Sequence, residues 1–221
     1  MKKIEYKVFM PRESSEEVAQ VIESYRDVFA ASPWHEWMKC QKCDRYWGVE
    51  DRELLVKEKF FHCGEPVIDY WPRQEVLENI EKELSRESSA FLATYHNRVI
   101  GFCWGYGIDI HTMQQELNIT LSPKDIEAFS RVKLAYQSDM AVLPEFRGEK
   151  IAKQLFKLRL EDMQAKGFSH GCVRVRKSPE PSQTYLWYKE KLGYAVIAEY
   201  PISDGRVILA RNFQSLYNLL L

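Results

Sequence analysis

The chain carries almost no net charge, with 31 Lys and Arg against 32 Asp and Glu in 221 residues. Proteins that bind nucleic acid or an anionic membrane surface broadly usually show a basic excess, so neither partner is expected. Any apolar run near the ~20 residues of a membrane-crossing helix is lacking. The N-terminal MKKIEYKVFMPRESS is charged without an apolar stretch of signal-peptide length, which leads to the expectation of a soluble, cytoplasmic protein. A disulfide framework is also missing. Five cysteines, an odd number with no secretory signal, read as thiols or metal ligands. No internal repeat or low-complexity tract interrupts the chain.

What is present is enough apolar material, 45% of residues, to bury one sizeable core. One domain over 1–221 is expected, with added pieces at 38–72 and 108–131, as a monomer or homodimer. KIEYKVFM alternates as a strand does, and Ser14 with Glu17 forms a capping box before a helix. That helix places Val18, Val21, Ile22, Tyr25, Val28 and Phe29 on one face. A second amphipathic helix turns Val76, Leu77, Ile80 and Leu84 inward. AFLATYHNRVIGFCWGYGI then reads as a hairpin turning at His96, Asn97 and Arg98. In the piece from Asp109 to Arg131, Ser122 and Pro123 supply the cap and first turn of one short helix.

Between the first two helices, Cys40 and Cys43 form a CxxC pair, and His62, Cys63 and Gly64 follow at a spacing that suits a small zinc-ribbon-like hairpin. Paired thiolates are the soft ligands tetrahedral Zn²⁺ prefers, and a glycine after the last cysteine lets amides point at sulfur. A complete second knuckle would carry cysteine at 60, where Phe60 stands. Cys40, Cys43 and Cys63 therefore need a fourth ligand, from His62 or His35. Buried thiols without metal are the alternative.

The most informative segment is MAVLPEFRGEKIAKQL from Met140. It reads as an apolar strand, then Pro144, a turn at Arg147 and Gly148, and an amphipathic helix with Ile151, Leu155, Phe156, Leu158 and Met163 on its apolar stripe. Unpaired amides and the positive end of the macrodipole at such a helix start make an anion cradle. Gly148 permits close approach, and Arg147 and Lys150 add charge. Strand HGCVRVRK, helix QTYLWYKEKLG and strand YAVIAEY follow.

Arg147, Gly148, Glu149, Lys150, Ile151 and Ala152 resemble the pyrophosphate loop of the GCN5-related N-acetyltransferases, whose signature runs Arg or Gln, two residues, Gly, one residue, Gly or Ala. Lys150 stands where that family usually keeps glycine. The resemblance extends over roughly the last ninety residues. It implies an α+β fold, a mixed, mostly antiparallel splayed sheet flanked by helices, here with the zinc-ribbon-like insertion. It also implies an acetyl-CoA-dependent N-acetyltransferase acting on a primary amine. Met140, Ala141 and Val142 would bind pantetheine through their backbone, and residues from Arg147 to Lys153 would hold the pyrophosphate. Tyr188 would protonate the leaving thiolate, with Tyr185 one turn earlier as the alternative. Trp34, His35, Glu36 and Trp37 would face the acceptor, or else cap the core. No base is legible, although Gln137 and Asp139 lie on the strand before the loop and Tyr136 sits near the position where relatives carry Glu. Transfer of another acyl group, and a non-catalytic CoA-binding or zinc-ribbon interaction module, remain open.

Overall fold

A computed structural model describes residues 3–11, 16–43, 45–200 and 205–216. In chain order its elements are β1 (Glu5–Val8), α1 (Glu16–Ala30), β2 (Met38–Lys39), β3 (Tyr46–Trp47), α2 (Arg52–Lys57), β4 (Phe61–His62), β5 (Glu65–Pro66), β6 (Ile68–Asp69), α3 (Arg73–Leu84) and β7 (Ser88–Tyr95). Then come β8 (Arg98–Ile108), α4 (Ile110–Leu117), α5 (Pro123–Ser130), β9 (Leu134–Val142), α6 (Ile151–Ala165), β10 (His170–Arg176), α7 (Gln183–Leu186), β11 (Ala195–Glu199) and β12 (Arg206–Asn212). Seven strands form a mixed, mostly antiparallel sheet in the order β1-β7-β8-β9-β10-β12-β11. The expected α+β class is the one observed.

The chain divides into two compact units. The first comprises Met1–Lys82, Leu92–Phe102 and Ala141–Ala152. In it α1 buries Val18, Val21, Ile22, Val28 and Phe29, as its periodicity requires, with Tyr25 half-buried. The Ser14 cap lies outside the described residues. The helix α3 buries Val76 and Ile80, while Leu77 and Leu84 are half-buried. The segment between α1 and α3 folds as a three-stranded sheet, β3-β2-β6, and a hairpin, β4-β5.

The second unit comprises Glu83–Phe91, Cys103–Met140 and Lys153–Leu221. Here the expected single helix after Asp109 is a pair. The Asp109 carboxylate accepts from the amides of His111 and Thr112 and starts α4, whose Ile110, Met113 and Leu117 are buried. The Ser122 hydroxyl accepts from the Asp125 amide at 3.1 Å and starts α5, as anticipated. Both caps satisfy orphan amides in the same way. In the first unit, the hairpin of β7 and β8 turns on His96 and Asn97, both at positive φ, the geometry that two-residue turns need to match strand twist.

Candidate active site and thiol cluster

The turn before α6 has the shape of a cradle. Pro144–Phe146 makes a short 3₁₀ turn, Arg147 is extended, and Gly148 adopts φ +85°. A Cβ added at Gly148 would meet nothing within 4 Å, so the space in front of it is open. Lys150 is left-handed too, at φ +61°, which explains why glycine is usual there: the backbone asks for a conformation that disfavours a Cβ by about 1 kcal/mol or more. Val142, Phe146, Arg147, Gly148, Lys150, Ile151 and Ala152 line one open cavity of about 290 Å³. Glu149 and Lys153 are exposed beside it. Arg147 Nε donates to the Val142 carbonyl at 3.2 Å, which ties the side chain to the strand end.

The strand that leads there parts from its neighbour. The parallel register of β9 and β10 pairs Leu134, Ala135 and Tyr136 with His170, Gly171 and Cys172, then stops although both strands continue. From Gln137 onward the residues include Met140, Ala141 and Val142, whose backbone had been assigned to pantetheine.

In the second unit Gln137 enters a buried polar network that sequence patterning missed. Arg159, not Leu158, faces the core from α6: Arg159 is 1% exposed, whereas Leu158 is half-buried. Its Nη1 donates to the carbonyls of Trp104 at 2.9 Å and Asp139 at 3.2 Å. Its Nη2 donates to Gln137 Oε1 at 2.8 Å and to the Tyr188 hydroxyl at 2.9 Å. Tyr188, also 1% exposed, donates in turn to Gln137 Oε1 at 3.1 Å, and Gln137 Nε2 donates to the Tyr194 hydroxyl at 2.8 Å. Burial pushes the Tyr188 phenol up against the pull of the Arg159 guanidinium, so it is protonated at neutral pH. Tyr188 sits in a π-helical turn, Trp187–Lys191, closed by the Leu192 amide on the Trp187 carbonyl at 2.9 Å. That wider turn absorbs one residue more than an α-helix would. Tyr185, the alternative, is partly buried against the same core and its amide serves the Ser182 cap.

A carboxylate also meets β9. Glu83 accepts from Trp104 Nε1 at 2.7 Å and from the Ser138 hydroxyl at 2.9 Å, so Ser138, two residues past the end of the paired register, holds it against the strand. Sequence reading passed over Glu83 because it ends an ordinary charged helix face. Tyr136, by contrast, is buried and its phenol is pushed far up by desolvation, which keeps it protonated at neutral pH.

Of the residues assigned to the acceptor, Glu36 and Trp37 line a cavity of about 180 Å³ in the first unit with Glu23, Arg26, Asp27, Ala30, Val49 and Trp71. Glu36 is buried and accepts from Trp71 Nε1 at 2.8 Å. Burial, then the neighbouring Glu23, pushes the Asp27 carboxyl up. Trp34 instead packs on Phe29, ring centroids 5.5 Å apart, and His35 pairs with Glu50.

Cys40, Cys43, His62 and Cys63 converge. One ligand atom from each lies within 4.8 Å of all the others. His35 is not among them, so His62 is the histidine that fits. Adjacent strand side chains point to opposite faces, yet Cys63 and Gly64 adopt φ +53° and +80° in the β4-β5 turn. The left-handed Cys63 breaks the alternation, and two neighbouring ligands can face one point. Hydrogen bonding to Cys43, with burial and Cys40 after it, pushes the Cys63 thiol up to about 11, while the Lys42 amide holds the Cys40 thiol below its usual range.

A family model described as acetyltransferase (GNAT) domain matches residues 86–196, half of the chain, which contain the parted strands, the cradle and Tyr188. The chain belongs to the GNAT acetyltransferase family. The thiol cluster lies outside the matched residues. Solved structures agree on the fold. One similar structure is a putative acetyltransferase of the GNAT family from Desulfovibrio desulfuricans, with TM-score 0.55, 10% identity and coverage of 95% of this chain and 99% of that one. Another is the PaiA N-acetyltransferase from Thermoplasma acidophilum in complex with coenzyme A, with TM-score 0.51, 16% identity and coverage of 95% and 99%. A third, Ard1 from Thermoplasma volcanium, has TM-score 0.52, 14% identity and coverage of 95% and 97%. None of the curated proteins matches this chain. Among the described residues, no helix is long and apolar enough to cross a membrane.

Proposed function

We propose that the protein transfers an acetyl group from acetyl-CoA to a primary amine. The observation that carries this reading is the open cradle at Gly148, set at the head of a 15-residue helix in a member of an acetyltransferase family. The amides at the start of α6, with Arg147 and Lys150, hold the pyrophosphate. Met140, Ala141 and Val142 offer pantetheine their backbone groups as a further strand would.

The amine nitrogen, once neutral, attacks the thioester carbonyl. The tetrahedral intermediate then expels the thiolate, and one proton leaves the nitrogen while another reaches sulfur. Tyr188 donates the latter, and Arg159, 2.9 Å from the phenol oxygen, stabilises the tyrosinate left behind. For this the Tyr188 proton exchanges Gln137 for sulfur as its acceptor. Glu83, held by Trp104 and Ser138, takes the proton from the amine.

Saturating CoA should raise the melting temperature, since a ligand bound only by the native state stabilises it. Gly148→Val should abolish the rise. Gly167→Val is the control: Gly167 has φ +82° and nothing within 4 Å of an added Cβ, so it carries the same strain away from the ligand and should keep the rise. Absence of a CoA effect on the wild type at millimolar concentration would sink the cofactor assignment. Acetyl-CoA with amine pools and free-thiol detection then tests turnover. A silent CoA-binding module is the second reading, favoured by the sealed Tyr188 hydroxyl, and a protein that binds CoA without releasing thiol to any amine class would establish it.

A further inference from the structure

The segment between Met38 and Trp71 is built from pieces too small to hold themselves. Its strands β2 to β6 are two residues each, and its core is Cys40, Trp47, Leu55 and Val67, with Trp37, Met38, Cys43 and Phe60 partly packed on it. Short ladders with so few buried side chains fall below what an independent fold needs. The core also carries an uncompensated donor: Trp47 Nε1 is buried and has no hydrogen-bond partner among the described residues, which costs about 1–3 kcal/mol. Such a segment needs a further tie. No disulfide supplies it, for all five cysteines are free and Cys43 Sγ stands 3.8 Å from Cys63 Sγ.

That separation has a meaning. Around a tetrahedral ion with metal–sulfur bonds of ~2.3 Å, the sulfur–sulfur edges are ~3.8 Å long. The knuckle around Cys40 is shaped accordingly: the Cys40 amide donates to the Arg45 carbonyl at 3.0 Å, and the Lys42 amide donates to Cys40 Sγ at 3.4 Å, as an amide does to a thiolate it neutralises. The other two ligands come from the β4-β5 turn, where the left-handed Cys63 lets His62 and Cys63 face one point. The His62 ring is braced edge-on by Trp47, centroids 5.2 Å apart, which restricts its orientation as a ligand. Lys42 Nζ reaches the Glu65 carboxylate at 2.9 Å and the Cys63 carbonyl at 3.5 Å, a second tie between this knuckle and the β4-β5 hairpin.

We infer that Cys40, Cys43, His62 and Cys63 bind one Zn²⁺ as a closed structural site that clasps β2 to the β4-β5 hairpin. Four protein ligands leave no open position, so the ion does no chemistry on substrate. Its effect reaches the cavity lined by Glu36 and Trp37 instead. Trp37 precedes β2, Val49 follows β3 and Trp71 follows β6, and all three line that cavity. The β3-β2-β6 sheet that carries them is joined by Trp37 N to Trp47 O and Tyr70 N to Trp37 O, both 2.9 Å, and ends at Cys40. The clasp therefore fixes one wall of the cavity while standing apart from the α6 cradle in sequence.

The test measures metal in the untagged full-length protein purified without chelator, and replaces the metal with cobalt(II). About one equivalent of zinc, and cobalt bands of a tetrahedral thiolate site, are expected. Cys63→Ser, at the exposed ligand, should lose both, and Cys172→Ser, a buried cysteine of the second unit, should keep both. Should Cys63→Ser fail to fold, limited proteolysis of wild type with and without a strong chelator replaces it, with new cuts expected inside 38–71 and CoA binding retained. The readouts do not involve turnover, so they stand whatever becomes of the transferase reading. Less than about a tenth of an equivalent of zinc, or five thiols reacting alike with and without chelator, overturns the assignment.

Discussion

Two polar clusters in this protein solve opposite problems. The Arg159 cluster places a guanidinium inside a core of aromatic and aliphatic side chains, with Phe156, Tyr188, Tyr194 and Phe213 among them. Its charge is met by two carbonyls, an amide oxygen and a phenol, with no carboxylate among these four acceptors. The thiol cluster sits at the margin of a segment with a four-residue core, and its members range from buried Cys40 to exposed Cys63. The first is complete as it stands, because the scaffold was already rigid enough to aim every partner. The second collects ligands that satisfy one another poorly and an ion well. Polar groups serve as the cargo of a fold in one case and as its fastener in the other.

The sharpest way to break this comparison is Arg159→Ala. It takes the donor away from four acceptors in a dry core, of which Gln137 Oε1 keeps only Tyr188, and a loss of about 3–5 kcal/mol in unfolding free energy is expected from denaturant titration. A loss below about 1 kcal/mol would mean that the core readily rearranges or admits water, and that the network is not a structural unit.

Tyr188→Phe tests what the same network does for turnover. A drop of ~10²–10⁴ in kcat with CoA affinity little changed is expected if the hydroxyl delivers a proton in the transition state. A full kcat with lowered stability would assign Tyr188 to packing alone, and a collapse in Tyr185→Phe would move the donor one turn back. Glu83→Gln should lower kcat/KM by a similar order at neutral pH and leave a residual rate that climbs with pH as solvent deprotonates the amine; a pH–rate profile parallel to wild type removes Glu83 from the role.

A milder effect is expected on chelation. Amide exchange should speed up across β2 to β6, which rest on the clasp, and stay unchanged in β10 and β12, whose seven-pair antiparallel register needs no ion. Uniform acceleration in both regions would show that the clasp is not local.

The smallest change is Lys150→Gly. Relief of the left-handed lysine, partly offset by the looser unfolded chain, should raise stability by about 0.5–1 kcal/mol while CoA still binds. Lower stability would mean that the lysine side chain contributes more than its backbone strain removes.

Much of this was written locally. Apolar spacing gave α1, α3 and the β7–β8 hairpin, and cap chemistry gave α5, because a helix face or a two-residue turn is decided within a few residues. The same rule covers α4, since Asp109 is a cap and Ile110, Met113 and Leu117 fall on one face. The cradle was legible for the same reason: strand, Gly148 and helix start are consecutive.

Arg159 was not legible, because a cation in an otherwise amphipathic helix reads as solvated unless its distant acceptors are known. Those acceptors come from β8, β9 and the turn after α7, and only folding brings them within 3.2 Å. Glu83 was hidden likewise, its partners Trp104 and Ser138 being far away in sequence. The cysteines show the division most clearly. Their identity and CxxC spacing named the chemistry, while the choice of His62 over His35 was made by the left-handed turn at Cys63 and the pairing of His35 with Glu50. Sequence determines which groups a short stretch of backbone can present; which of them meet is decided by chain closure over distances that no local pattern records.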